Sequence, residues 1–254
     1  MCPAPVACSL PVHRNVAYFL VGFAATAFLA GCGSGSAGVS TGPVKHPVNM
    51  EFAAYAHAVN LRAGDAPGLE AGSPEQEVHA PAAEDELARC IGVARQPATV
   101  VRIASAGLGD GDHIRVGSSV ATRIPVRPLT SKVVALTARD LAAIGSRRGI
   151  SCSGQYALHV AQAEGIKDVH VTPLPNPLNG TDGSVALRFR VAGTIFRKGS
   201  SAPIPVEIYE DVIVFDSGGV EIELGTGSAP SPFPLATERS LLSLLYNRAQ
   251  AHKP

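Results

Sequence analysis

The sequence predicts an α+β fold of the broad α/β class: a single domain on a mainly antiparallel sheet that ends in a three-strand meander packed by helices. Three observations predict it. After Val169 the apolar pattern has period two, as in strands with one buried face. Asp216, Ser217, Gly218 and Gly219 separate two such runs, and glycine supplies the positive φ that a hairpin turn needs. On either side of the chain, Phe52, Tyr55, Ala56 and Val59, and then Leu241, Leu242, Leu245 and Ala249, fall at helical spacing.

Taken in order, residues 1–31 read as a signal, 32–48 as a tether and 49–254 as the folded domain. Asn49 is placed to cap the first helix, which stops before Gly64 to Gly68. Residues 70–86, acidic and containing proline, read as a solvated connector leading to Cys90. Residues 99–104 alternate as a strand, residues 107–113 turn the chain, and 116–124 form a second strand ended by Pro125. Two helices follow, over 130–144 and 150–164, with Ser146 to Gly149 as a break between them. The meander then takes 184–196, 206–215 and 220–224, after a short strand at 169–171 and a proline-rich bend. Thr237 is the expected cap of the last helix, whose apolar stripe packs across the sheet.

Composition narrows the function classes. Hydrophobic residues make up 46% of the chain, enough for a sizeable core, and 21 basic residues balance 21 acidic ones. No basic stripe points to nucleic acid. The N-terminus is more informative. Arg14 precedes an apolar run from Val16 to Gly31, which closes on Leu29, Ala30, Gly31 and Cys32. This segment resembles a bacterial lipoprotein signal, whose lipobox is cut just before a cysteine that has received diacylglycerol. An uncleaved anchor would want roughly 20 apolar residues, and ordinary cleavage would leave a soluble protein. The cysteine at the lipobox position favours lipidation of Cys32 instead, with the membrane as a partner through the N-terminal lipid. The expected location is the outer face of the cytoplasmic membrane. A tether of about 16 Gly- and Ser-rich residues would reach roughly 20–24 Å. Cys32→Ala is expected to release the protein from membranes or leave its precursor uncut, a result that fractionation and immunoblotting would read.

With Cys2 and Cys8 in the signal and Cys32 on the lipid, Cys90 and Cys152 remain as the pair of an exported domain. An oxidising compartment favours a bridge between them. It would close a loop of about 62 residues and contribute on the order of 4 kcal/mol.

Catalytic patterns are missing. The folded part holds no G-x-S-x-G elbow, no H-E-x-x-H and no phosphate loop. Asp110 and Asp112 sit in a turn without the further oxygen ligands and closing Glu of a calcium loop. Glu207, Glu210, Asp211, Glu221 and Glu223 read as a solvated row along one sheet face. No metal and no cofactor is expected.

Four segments carry a resemblance: Asn-Leu-Arg-Ala-Gly-Asp-Ala-Pro-Gly at 60–68, Ala-Arg-Cys at 88–90, Leu-Pro-Asn-Pro-Leu-Asn-Gly at 174–180, and the helix at 238–253. They resemble recurring segments of an exported actinobacterial lipoprotein family without an assigned function. The element order is also similar to the PsbP/Mog1-type sandwich of lipoproteins and sensor domains. The resemblance implies an exported domain and no active-site residues.

The resulting expectation is a membrane-tethered, non-catalytic binding domain for a small apolar ligand or an envelope protein. A cell-envelope hydrolase with an unrecognised site is the alternative, and a purely structural envelope lipoprotein is the third reading.

Overall fold

The computed structural model describes residues 50–72, 81–93, 99–110, 113–124, 131–162, 166–175, 178, 180–196 and 203–252. The signal, the lipobox residues Leu29, Ala30 and Gly31, Cys32, the tether and Asn49 lie outside them. In order, the elements are α1 (Met50–Val59), β1 (Glu70–Ala71), α2 (Pro81–Ile91), β2 (Thr99–Ala104), β3 (Leu108–Gly109), β4 (Ile114–Ile124), α3 (Ser131–Gly145) and α4 (Arg147–Ala161). Then come β5 (Ile166–Pro173), β6 (Gly183–Phe196), β7 (Pro203–Ser217), β8 (Val220–Ser228) and α5 (Leu235–Ala251).

All eight strands join one antiparallel sheet in the order β1-β3-β4-β8-β7-β6-β5, with β2 also on β4. The meander is as the period-two pattern predicts, and β5 extends it to four strands. Its tightest turn joins β7 to β8 through Gly218 and Gly219, both at positive φ. Two consecutive left-handed residues give the twist that matches paired strands. The Asp216 carboxylate accepts the Gly219 amide at 2.7 Å and holds the turn closed.

Strand alternation sends side chains to two faces, and helices cover both. Ile213, Phe215, Ile222 and Leu224 pack with Phe52, Val59, Leu242 and Leu245 of α1 and α5. Leu187, Phe189, Val212 and Val214 pack on the other face with Leu87, Leu141, Cys152 and Tyr156 of α2, α3 and α4. Burying each such aliphatic or aromatic side chain is worth about 1.5–3 kcal/mol, so both layers are needed to hold the sheet. At the start of β6, α3 comes so near that a Cβ on Gly183 would lie 2.8 Å from the Ala138 Cα.

Several boundaries differ from expectation. The stretch read as a connector contains α2, because Ala82, Ala83, Glu84 and Glu86 are strong helix formers and proline is tolerated at a first helical position. Residues 73–80 of that stretch lie outside the described residues. The break at 146–149 is the start of α4: Ser146 accepts the Gly149 amide at 3.1 Å as its N-cap. The last helix opens two residues before Thr237, after Pro234, with no side-chain cap.

The end of α1 is tied down by polar groups. Asn60 donates to the Ile103 carbonyl at 2.8 Å and accepts from the Ser118 hydroxyl at 3.0 Å. Arg248 of α5 grips both Asp65 oxygens at 2.7 and 2.9 Å and donates to the Asn60 carbonyl at 2.9 Å. Burial would raise the Asp65 carboxyl, but the Arg248 hydrogen bonds, the Arg62 amide and the two guanidinium charges outweigh it and hold the group below its usual range. A depressed carboxyl contributes stability above its unfolded pKa that is lost as pH falls through the folded one. Arg248→Ala is expected to cost about 2 kcal/mol at neutral pH, because a half-buried bidentate pair is broken. Urea denaturation would show it, and the difference from the parent protein should shrink in acid as Asp65 protonates.

Candidate functional site

The α1 and α5 face of the sheet is apolar under most of α5 and polar at the other end. Register explains where the charges meet. Arg188 on β6 lies opposite Asp211 on β7, and Asp211 lies opposite Thr226 on β8. Directly opposed residues share a face, so the three line up across the sheet. Glu238, in the first turn of α5, comes down on this row and meets Thr226 at 3.4 Å.

Asp211, Thr226 and Glu238 are each only 1% exposed. Arg188 donates through Nε and Nη2 to the two Asp211 oxygens, each at 2.6 Å. This planar fork fits a carboxylate on two points, and the Asp211 hydrogen bond raises the Arg188 guanidinium pKa further. Glu238 is then a second carboxyl beside one already neutralised pair. Burial, the Asp211 charge and an Asp211 hydrogen bond push it up to about 7, against the opposing pull of Arg188 and Thr226. With two buried carboxyl groups beside one partly exposed cation, Glu238 keeps its proton well above the ordinary carboxylate range.

A second polar row continues on the same face, beyond the start of α5. Arg190 lies opposite Tyr209 on β7 and opposite His170 on β5. Glu207 Oε1 accepts from Tyr209 Oη at 2.7 Å and from Arg190 Nε at 2.5 Å. The Tyr209 hydrogen bond first, then Arg190, holds the Glu207 carboxyl below its ordinary value. Unlike the sealed cluster this row is open: the Arg190 and Glu207 side chains are 45% and 37% exposed, and His170 is exposed as well.

The structure redistributes the residues that the sequence singled out. Cys90 on α2 and Cys152 on α4 form a disulfide with a Cα–Cα distance of 5.8 Å. The five acidic residues read as one solvated row do not form one. Glu210, Asp211, Glu221 and Glu223 are buried. By register Glu210, Glu221 and Glu223 share the face of Val212 and Val214, while Asp211 and Glu207 take the opposite one. Asp110 spends Oδ1 on the His113 and Ile114 amides, both at 2.8 Å, which makes it a turn former. Asp112 lies outside the described residues. His57, His113, His159 and His170 are exposed on α1, the β3–β4 turn, α4 and β5 respectively. Among the described residues no group of three or more His, Cys, Asp and Glu side chains is placed to hold a metal ion.

Sequence reasoning missed the Arg188–Asp211–Glu238 cluster. A signal for it was present: pairing the two period-two runs 184–196 and 206–215 as neighbouring antiparallel strands can bring 188 opposite 211 and 190 opposite 209, the register the structure has. The contribution of Glu238 depends on how α5 crosses the sheet, which no local pattern encodes.

Chemically, the cluster can hold a proton, while Asp211 is engaged on both oxygens by Arg188 and Glu238 is buried, so neither carboxyl is open to a substrate as the fold stands. The open row offers a cation, an anion and two aromatic polar groups to a partner. Among the described residues no helix is long and apolar enough to cross a membrane. Comparison with known protein families and with curated proteins finds no match for this chain.

Proposed function

We propose that the chain is a lipid-anchored, non-catalytic binding protein of the outer face of the cytoplasmic membrane. On this reading it engages an envelope protein through the open row His170, Arg190, Glu207 and Tyr209. The observation that carries the reading is the division of charge on one sheet face: a sealed cluster that neutralises itself, next to an exposed row already ordered by hydrogen bonds. Side chains prearranged in this way lose little entropy when a partner docks. A protein fits the row better than a small apolar ligand does, because the exposed residues are polar while Phe52, Phe215, Leu242 and Leu245 fill the space between the sheet and its helices. The lipobox and tether support the location.

A hydrolase is the second reading, favoured by the paired carboxyls Asp211 and Glu238. It requires α5 to move before any substrate could reach them, since both are buried. Photocrosslinking separates the readings. A photoreactive residue at His170 of the full-length exported protein is expected to give one discrete protein adduct, while the same residue at Ala54, exposed on α1, gives none. No adduct at position 170, or the same adducts at both positions, would remove the support for a docking row.

A further inference from the structure

We propose that Asp211 and Glu238 form a proton-operated latch: one shared proton keeps the first turn of α5 seated on the sheet, and its loss loosens that turn beside Arg188. The geometry supports this in three ways. Both carboxyls are buried, so an extra negative charge has no water to solvate it. Arg188 is committed to both Asp211 oxygens and can neutralise only one carboxylate. The first turn of α5 lacks a side-chain cap, and Glu238 reaches from it to the Thr226 hydroxyl at 3.4 Å, the residue that lies opposite Asp211 in the strand register.

The groups that face Glu238 are few. Arg188 comes from β6, Asp211 from β7 with Tyr209 one step along, and Thr226 from β8. α1 turns Phe52, Tyr55, Ala56 and Val59 inward. Tyr55, its one inward titratable group, lies by Ser217 and is pushed up to about 12 by burial. Ser217 meets Gln250, at the far end of α5, so Tyr55 does not belong to the latch.

The sign follows from the Glu238 carboxyl, whose folded value of about 7 exceeds its ordinary 4.5. The seated state binds the proton and the open state releases it. Opening is therefore favoured as pH rises from 4.5 to about 7 and becomes independent of pH above that. Within the window the opening constant should rise about tenfold per pH unit.

Hydrogen–deuterium exchange of the full chain tests the latch. After correction for intrinsic rates, the amides of residues 237–241 should exchange about tenfold faster per pH unit between pH 5 and 7, with a plateau above. Glu238→Gln keeps the side chain neutral and should abolish the rise. Asp211→Asn frees Arg188 to pair with Glu238 and should remove the rise too, which serves as the test if the first variant does not fold. Exchange in the parent protein that follows intrinsic rates alone, or a rise that survives either substitution, would overturn the proposal. Neither measurement depends on the docking partner, so the latch and the binding row stand or fall separately.

Discussion

Arg188→Ala is expected to lower the free energy of unfolding by about 3–5 kcal/mol, the loss typical when one partner of a buried ion pair is removed. Asp211 would keep its burial and lose both of its 2.6 Å hydrogen bonds, and Glu238 would lose the cation that faces it. The deficit should be smaller at pH 5 than at pH 8, because either carboxyl can take up a proton in acid. Arg188→Lys should fall between, since an ammonium cannot hold two oxygens in one plane. Urea denaturation at the two pH values would measure both effects. A loss under about 1 kcal/mol at pH 8, the size of an exposed pair, would show that water reaches the cluster.

Removing the disulfide is the other large change. Cys90 and Cys152 are separated by 62 residues, and for such a loop the chain-entropy model assigns about 4 kcal/mol to the bridge. Its place in the fold decides what is lost first. The bridge joins α2, an 11-residue helix on the outer layer, to α4, whose inner side holds Tyr156 and Ala157 against the sheet. In the Cys90→Ala/Cys152→Ala double variant, α2 would be held, among the described residues, chiefly by the packing of Leu87 and Ile91. Thermal melting is expected to fall, and limited proteolysis should cut near α2 before any site in the meander. Equal stability with and without the bridge would mean that the unfolded chain is already restrained by other means.

The two largest expected effects differ in how legible they were. The cysteine pair could be named from counting alone, because reading Cys2 and Cys8 as signal and Cys32 as a lipid site leaves two thiols to pair, and the structure joins them. The apolar stripes on α1 and α5 were equally plain. Phe52, Tyr55, Ala56 and Val59 follow helical spacing, and each is buried. Leu241, Leu242, Leu245 and Ala249 behave in the same way. The Gly218–Gly219 turn was legible because a two-residue hairpin needs residues that accept positive φ.

What stayed hidden was non-local. Glu221 and Glu223 alternate with Val220, Ile222 and Leu224, a pattern that normally marks a wet face. In the structure β8 is an inner strand, paired with β4 on one side and β7 on the other, and both carboxylates are buried. The Arg188–Asp211 pair required the β6–β7 register. Glu238 further required the crossing of a helix over three strands, 27 residues beyond Asp211 in the chain. α2 was hidden for a different reason, since an alanine- and glutamate-rich stretch after a proline suits a helix start as well as a solvated loop.

The most direct test of the account is the intact mass of the protein extracted from its native membranes under non-reducing conditions. It predicts a chain that begins at Cys32, carries the added mass of a diacylglyceryl group and its acyl chains, and gains alkylatable thiols at Cys90 and Cys152 only after reduction. A chain that retains residues 1–31, or one that starts elsewhere without lipid, would contradict an anchored exported domain and with it the proposal that the polar row faces an envelope partner.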